Sequence, residues 1–460
     1  MDRRRLLGLT AAGLSAAALP AFAAPLSSAN GAGRRKPNFV VILCDDLGYG
    51  DTSVYGPSKI RTPNLQAMAR EGTVLTDYYS PANLCSPSRA GLLTGRYPVR
   101  TGLGYEVIMQ PEERGLPLSE VTIAKALKPE YATALFGKWH LGHRGAAWPP
   151  TKHGFDSFFG IPYSHDMSPL SLFESHAGSD EVTASPVDYP TLQQQFYAHA
   201  EAFIEANRDR PFFVELALSA PHLPEHPHAP FDAKTMAGPY GAVVSEIDSI
   251  VGRLNAKLKA LGIERDTLVI FTSDNGPWFE GSSGGLRDRK GGAGYEGGYR
   301  VPFLARQPGT VPTGQRVSSM AMGIDLLPTF CAMAGKPLPA DVVLDGRDIS
   351  PVLTKGAATP HDELVLFNNE TPVAVRTQRW KYVANTYYRG VLFPYESRYP
   401  QLYDLQADPS ESYSVAEANP QVLAQMRDRL ATARATFAPF AHKEPPAYFK
   451  ALRQSLERQD

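Results

Sequence analysis

Three short, almost unbroken apolar runs organise the first part of the chain: Asn38-Phe39-Val40-Val41-Ile42-Leu43-Cys44, Phe212-Phe213-Val214-Glu215-Leu216-Ala217-Leu218 and Thr267-Leu268-Val269-Ile270-Phe271-Thr272. Runs of this length without polar alternation predict parallel strands covered on both faces. Each gives way to polar residues: Asp45-Asp46 after the first, His222 beyond the second, Asp274-Asn275 after the third. In open α/β sheets ligands bind outside the carboxyl ends of the strands, so the three ends predict one shared site.

Between these runs the apolar spacing becomes that of a helix. Thr62 precedes Pro63 as a cap, Leu65, Met68 and Ala69 share a face, and Gly72 is the stop. Gln193 to Asn207 and Val243 to Leu261 carry apolar residues at the same spacing. Segments 140–190 and 276–300, rich in Gly, Pro, Ser and His, read as loops over the site. Near 346–365 the character changes to short strand-like pieces, 364–367, 373–376, 380–383 and 401–404, and then a charged helix from about Pro420 to Thr436. The expectation is an α/β protein. A large mixed, mostly parallel sheet flanked by helices occupies 36–350, and a smaller antiparallel sheet with one helix occupies 351–460.

Composition narrows the class. The chain has 460 residues, 43% apolar and 20% charged, with a formal net charge of -1. That suits a globular protein with a sizeable core and leaves no whole-chain footprint for nucleic acid or an anionic membrane. Arg3-Arg4-Arg5 ahead of Leu6-Leu7, an Ala-rich run and Pro20-Ala21-Phe22-Ala23-Ala24 read as an export signal over 1–24, of twin-arginine type. No later stretch is apolar enough to span a bilayer, so no stable membrane insertion is expected. The mature protein is expected to be periplasmic or secreted. Three cysteines argue against a disulfide framework. Cys44 and Cys331, each in an apolar run, read as small buried hydrophobes.

The remaining cysteine opens Cys85-Ser86-Pro87-Ser88-Arg89-Ala90-Gly91-Leu92-Leu93-Thr94-Gly95-Arg96. Pro87 suits a first helical turn and Gly95 a helix end, which puts Cys85 at an N-terminus that favours an anion. Arg89, one turn later, can reach back to it. A thiolate nucleophile and a structural cysteine beside a cap are both compatible with these residues.

This stretch resembles the signature of the type I sulfatases, Cys-x-Pro-x-Arg followed by a small-residue helix and Leu-Thr-Gly-Arg, and in particular the arylsulfatase A-like branch. Asp45-Asp46-Leu47-Gly48-Tyr49-Gly50-Asp51, Gly137-Lys138-Trp139-His140-Leu141-Gly142, Gly160 through Asp166, Asp274-Asn275-Gly276 and Lys290 through Gly298 follow in family order. The resemblance implies an alkaline-phosphatase-like fold and hydrolysis of a sulfate ester. It implies formylglycine made from Cys85 by a maturation enzyme, and a bound Ca²⁺. Asp45, Asp46, Asp274 and Asn275 are hard oxygen donors of the kind that suit Ca²⁺ or Mg²⁺ rather than Zn²⁺, and the family adds residue 85 to that set. By resemblance Arg89, Lys138 and Lys290 clamp the sulfate and the nucleophile. Asp274 is the base for the attacking hydroxyl, His140 the base for sulfate release and His222 the acid for the leaving oxygen; Ser164 and His165 line the pocket.

Two other readings compete. A phosphomonoesterase, phosphodiesterase or phosphonate-ester hydrolase of the same superfamily would commonly use Ser or Thr with two zinc ions. A non-catalytic glycan-binding relative would lack a nucleophile or a ligand, and none is lacking. The partner is expected to be a sulfated small molecule or glycan. Specificity is expected from loops 98–118, 140–190 and 276–300 and from the aromatics of Tyr387–Tyr399, which could stack on a sugar or aryl group.

Overall fold

The apolar runs become the centre of the main sheet, in a computed structural model that describes residues 35–179, 182–231, 236–385 and 396–456. The expected export signal and most of the 387–399 segment lie outside the described residues. In chain order the strands are β1 (Asn38–Asp45), β2 (Thr73–Leu75), β3 (Tyr78–Tyr79), β4 (Ala132–Lys138), β5 (Ser157–Ile161), β6 (Leu172–His176), β7 (Val182–Ser185), β8 (Phe212–Pro221), β9 (Thr267–Ser273), β10 (Phe303–Arg306), β11 (Gln315–Val317) and β12 (Ala321–Met322). Then come β13 (Leu364–Asn368), β14 (Thr371–Arg376), β15 (Trp380–Asn385) and β16 (Glu396–Asp404).

Ten strands form one sheet in the order β11-β2-β10-β9-β1-β8-β4-β5-β6-β7. Its core is parallel: β1 lies between β8 and β9, and β4 joins β8 to β5. Alternate residues of β1 serve opposite layers. Val40 and Ile42 pack toward Phe196, Ile204, Val243 and Ile247 of the helices Leu192–Ala206 and Gly238–Ala260. Phe39, Val41 and Leu43 pack toward Leu92, Ile123, Leu327 and Phe330 from three helices on the other face. Two covered faces are why these strands carry almost no polar residue.

Local signals met tertiary ones at two places. Thr62 does precede the helix Pro63–Glu71, but its hydroxyl makes no cap bond; it accepts from the Ser53 N–H at 3.0 Å. The open first-turn N–H groups of Asn64 and Leu65 donate instead to the Asp248 carboxylate, at 3.1 and 2.8 Å. Segment 140–190, expected as loops, contains β5, which pairs in parallel with β4, and β6 and β7, which carry the sheet on to its edge by antiparallel pairing. Half-exposed edge strands need no continuous apolar run, so the pattern hides them.

The C-terminal pieces form an antiparallel sheet β13-β14-β15-β16 beside the helix Pro420–Phe437. Leu364, Leu366, Val375, Leu402, Met426 and Leu430 share an apolar core with Tyr79, Tyr97, Tyr299 and Met320 of the preceding chain. Cys44 and Cys331 are buried free thiols. No described helix is long and apolar enough to cross a membrane.

Candidate active site

The strand ends converge. After β1 the chain turns at Asp46, whose φ of 67° is unusual for a residue other than glycine. In a continued strand Asp45 and Asp46 would point to opposite faces; this turn lets both carboxylates serve one site. The Asp46 N–H donates to Asp274 Oδ1 at 3.2 Å, and the Leu47 N–H to Ser273 Oγ at 2.9 Å, locking the turn to the end of β9. Asp51 fastens the loop from below. It accepts from the Gly48 N–H (2.8 Å), the Ser282 N–H (2.8 Å) and the Tyr240 hydroxyl (2.6 Å). Burial still pushes it up to about 6 against those three bonds.

Cys85 is the first residue of the helix Cys85–Thr94, and no side chain caps that end. Gly95 closes the helix in the left-handed region (φ 69°). The Cys85 Sγ lies 3.4 Å from Asp45 Oδ1 and 3.9 Å from Asp46 Oδ1. Each carboxylate has its own cation. Lys138 Nζ is 2.6 Å from Asp45 Oδ2, Lys290 Nζ is 2.6 Å from Asp46 Oδ2, and Arg89 Nη2 is 2.8 Å from Asp274 Oδ2. Arg89 also donates through Nη1 to the Lys138 carbonyl oxygen at 2.9 Å. Lys138 follows Gly137, where a Cβ would sit 1.8 Å from the Ala217 carbonyl oxygen, so only glycine lets β4 run this close to β8.

The charges decide the protonation states. Burial would raise Asp45, but Lys138, then His222, Arg89 and Lys290, hold it well below the usual carboxylate range. Asp46 is lowered in the same way, with Lys290 the main force against burial. Asp274 behaves differently: burial pushes it up to about 7, with Arg89 opposing and Asp45 adding to the rise. The Cys85 thiol is raised strongly by burial, more than Lys138 and Lys290 can offset. A thiolate is therefore suppressed where nucleophilic sulfur chemistry would need one.

The donor set fits a hard divalent cation. Ligating atoms of Asp45, Asp46, Cys85 and Asp274 lie within 4.8 Å of one another. Asn275 Nδ2 donates to Asp46 Oδ1 at 2.8 Å, and its own buried Oδ1 has no partner. A buried acceptor left open beside three carboxylates is what an oxygen-ligated dication would satisfy. Such an ion would also favour the ionised form of Asp274.

Above this floor is a cavity of about 380 Å³. Cys85, His140, Ser164, His222 and Lys290 line it, with Val107, Met109, Gln110, Pro111, Asp166, Met167 and Ser168. His140 shares a hydrogen bond with the Ile108 carbonyl oxygen through Nε2 (3.0 Å), which puts the proton there and leaves Nδ1 as an open, buried acceptor. Burial, then Lys138 and Arg89, hold the ring well below the usual histidine range, so it is neutral. His222 donates from Nδ1 to the Leu223 carbonyl oxygen at 2.6 Å; its Nε2 lies 3.4 Å from Ser164 Oγ and 3.7 Å from Asp46 Oδ2.

Every residue named for the site from the sequence is thus in this cluster, with one exception. His165 does not line the cavity; its Nε2 bonds the Pro224 carbonyl oxygen at 3.0 Å. Loops 98–118, 140–190 and 276–300 do supply cavity walls, while the 387–399 aromatics lie mostly beyond the described residues. Asp166, Met109 and Met167 were not singled out beforehand. The acid that closes the block Gly160–Asp166 was the one available signal.

Comparison with known proteins agrees with the geometry. Residues 37–336 match the family model described as Sulfatase, and 289–436 match the model described as N-sulphoglucosamine sulphohydrolase, C-terminal. The chain is 40% identical to human arylsulfatase A over 447 residues, covering 85% of this chain and 87% of that protein. It is 35% identical to mouse steryl-sulfatase, covering 84% and 75%. Among solved structures, the PsFucS1 sulfatase from Pseudoalteromonas sp. superposes with a TM-score of 0.82 at 29% identity, over 90% of this chain and 92% of that one. Ps i-CgsB, solved in complex with k-i-k-neocarrahexaose, superposes with a TM-score of 0.76 at 27% identity, over 92% and 98%.

Proposed function

The chain belongs to the sulfatase family and is a sulfate-ester hydrolase of arylsulfatase type, and from that premise we propose that it works through formylglycine made from Cys85 and a calcium ion. One observation carries this reading. The Cys85 thiol sits at a helix N-terminus facing carboxylates 3.4 and 3.9 Å away, with burial holding it protonated. It is a poor nucleophile as encoded and well placed as a precursor. Conversion is a two-electron oxidation in which the side-chain CH2SH and one water give the aldehyde and hydrogen sulfide, with two protons and two electrons passing to the maturation enzyme that catalyses it. The Sγ position then stands for an oxygen of the modified residue.

The hydrated aldehyde would supply a nucleophilic hydroxyl, and Ca²⁺, held by Asp45, Asp46, Asp274 and Asn275, would neutralise sulfate oxygens and lower that hydroxyl's pKa. Lys138, Lys290 and Arg89 bind the sulfate oxygens in a dry floor, where their charge counts most. Asp274 accepts the proton of the attacking hydroxyl. His222 Nε2 delivers a proton to the departing ester oxygen. His140, with Nδ1 open, takes a proton from residue 85 so that inorganic sulfate leaves. Ser164 orients His222 and faces the bound ester. The Arg3–Ala24 segment supports export as the route to the periplasm or medium, and the glycan-bound neighbour supports a sulfated sugar among the substrates.

Mass spectrometry of the peptide containing Cys85 tests the reading directly. An intact thiol in fully active enzyme would defeat it. Aryl sulfate is expected to turn over far faster than aryl phosphate, and Ca²⁺ to restore chelated enzyme better than Zn²⁺.

A further inference from the structure

The cavity has two unlike halves. Its floor holds Lys138, Lys290 and Arg89, each against a carboxylate, whereas its outer wall carries an acid with no paired cation among the described residues. Ser164 to Met167 form a tight turn, with the Met167 N–H donating to the Ser164 carbonyl oxygen at 3.1 Å. Hydrogen bonds brace the turn and its flanks. The His140 N–H donates to the Pro162 carbonyl oxygen at 3.1 Å, the Tyr163 hydroxyl donates to the Pro169 carbonyl oxygen, and His165 ties the turn to Pro224, two residues past His222. Asp166, third in the turn, lines the cavity with an exposed side chain that no cation or donor pairs among the described residues.

The other charged or titratable groups lining the cavity are Lys290, Cys85, His140 and His222. Lys290 is already held by Asp46, and the two histidines bond backbone carbonyls. Arg144 donates to the Gln110 carbonyl oxygen at 3.3 Å and is not part of the lining. The rest of the outer wall is apolar or neutral: Val107, Met109, Pro111 and Met167, with Gln110 and Ser168. Among the described residues this lining offers hydroxyl groups neutral partners and offers a second anion no unpaired cation.

We propose that Asp166 makes the leaving-group chamber select against sulfate esters with a second anionic group beside the one cleaved, so that the preferred substrates are monosulfated neutral or cationic alcohols. This rests on the sulfate-ester reading of the cavity and names its substrate class. Bound with its sulfate on the floor, a uronate or doubly sulfated ring places its extra charge near the Asp166 carboxylate. Like charges brought together in a partly desolvated cleft repel, and salt screens part of that repulsion. A hydroxyl or ammonium at the same place is instead accepted by the carboxylate as a hydrogen-bond donor.

The test compares three aryl sulfates on mature, metal-loaded enzyme: 4-nitrophenyl sulfate, its 3-carboxy derivative and its 3-aminomethyl derivative. Wild type is expected to prefer the neutral and cationic esters. Asp166→Asn is expected to raise the carboxylated-to-neutral ratio of kcat/KM about two- to fivefold, less at high salt, and to lower the cationic-to-neutral ratio. Asp166→Glu keeps the wild-type order. The ratio between substrates cancels loss of folded enzyme, and comparing it between variant and wild type cancels intrinsic reactivity. An unchanged carboxylated-to-neutral ratio in Asp166→Asn, even with both rates reduced, overturns the proposal and leaves Asp166 a structural residue. Failure of wild type to hydrolyse any of the three would overturn the sulfate-ester reading instead.

Discussion

Replacing Lys381 by methionine tests whether the C-terminal sheet is held to the catalytic body by buried charge. Lys381 is fully buried on β15, its Nζ 2.9 Å from both Glu296 Oε1 and Glu411 Oε1. Glu296 opens the short helix Glu296–Tyr299; it accepts from the Tyr79 hydroxyl at 2.6 Å, and its N–H donates to Glu411 Oε2 at 2.7 Å. That helix is tied to the segment carrying Lys290 by the Gly297 N–H, which donates to the Arg287 carbonyl oxygen at 2.7 Å. Against burial, Lys381 and then Arg300 and Arg376 hold Glu296 at about 2, while burial pushes Glu411 up to about 7 with Lys381 opposing. Methionine removes the cation both carboxylates share. Breaking a buried pair this way costs about 3–5 kcal/mol, and protonation of Glu411 recovers part, so we predict a loss of about 3 kcal/mol at about pH 8. For a unit as long as Lys36–Asp460, that is a fall in Tm of about 3 °C. The sign of the pH dependence follows from Glu411, the raised carboxyl, which loses in Lys381→Met the cation that opposes burial. Its stability is present below the unfolded value and lost as pH rises through the folded one, so the penalty shrinks toward about pH 5. Calorimetry of wild type, Lys381→Met and Lys381→Arg across that range is the assay. A penalty that is flat with pH, or below about 1 kcal/mol throughout, would refute the reasoning.

Three other outcomes are expected. Cys85→Ala abolishes sulfate-ester turnover with circular dichroism unchanged and a stability loss of no more than about 1 kcal/mol, since only a thiol is removed; turnover at the wild-type rate would exclude residue 85 from the chemistry. Asn275→Ala, which deletes the open amide oxygen, weakens Ca²⁺ binding to chelated protein about tenfold or more by titration calorimetry, and equal affinity would remove Asn275 from the ligand set. Glu215→Gln stabilises the protein by up to about 3 kcal/mol at about pH 8 and little at about pH 5. Burial, with Arg89 opposing, pushes this carboxyl up to about 7, so its contribution is present below the unfolded value and lost as pH rises through about 7. A gain that grows on acidification instead would show the sign to be wrong.

What could be read beforehand follows from which parts of the site hang on covered strands. A parallel strand buried on both faces must be apolar throughout, so Asp45-Asp46 and Asp274-Asn275 mark where cover ends and a ligand can approach. Glu215 lies inside the buried run of β8 and was not singled out, because its electrostatic partner Arg89 is remote in sequence. Residues whose partners are remote left no trace. The acceptor for the helix at Pro63 is Asp248, and the partner of Glu296 is Lys381. Local period says nothing about either, because both depend on which helix or sheet packs against which. The outer chamber is the extreme case, since Val107, Gln110 and Asp166 come from loops that the tertiary fold alone brings together. The floor, fixed to strand ends, carries the chemistry common to a family. The wall, fixed by a turn pinned through His165 and Tyr163, is free to carry an acid without disturbing that floor. Selection among sulfate esters can therefore change at Asp166 while Cys85, Lys138 and Lys290 stay in place, and a specificity variant at that turn is expected to leave the metal affinity of the floor unaltered.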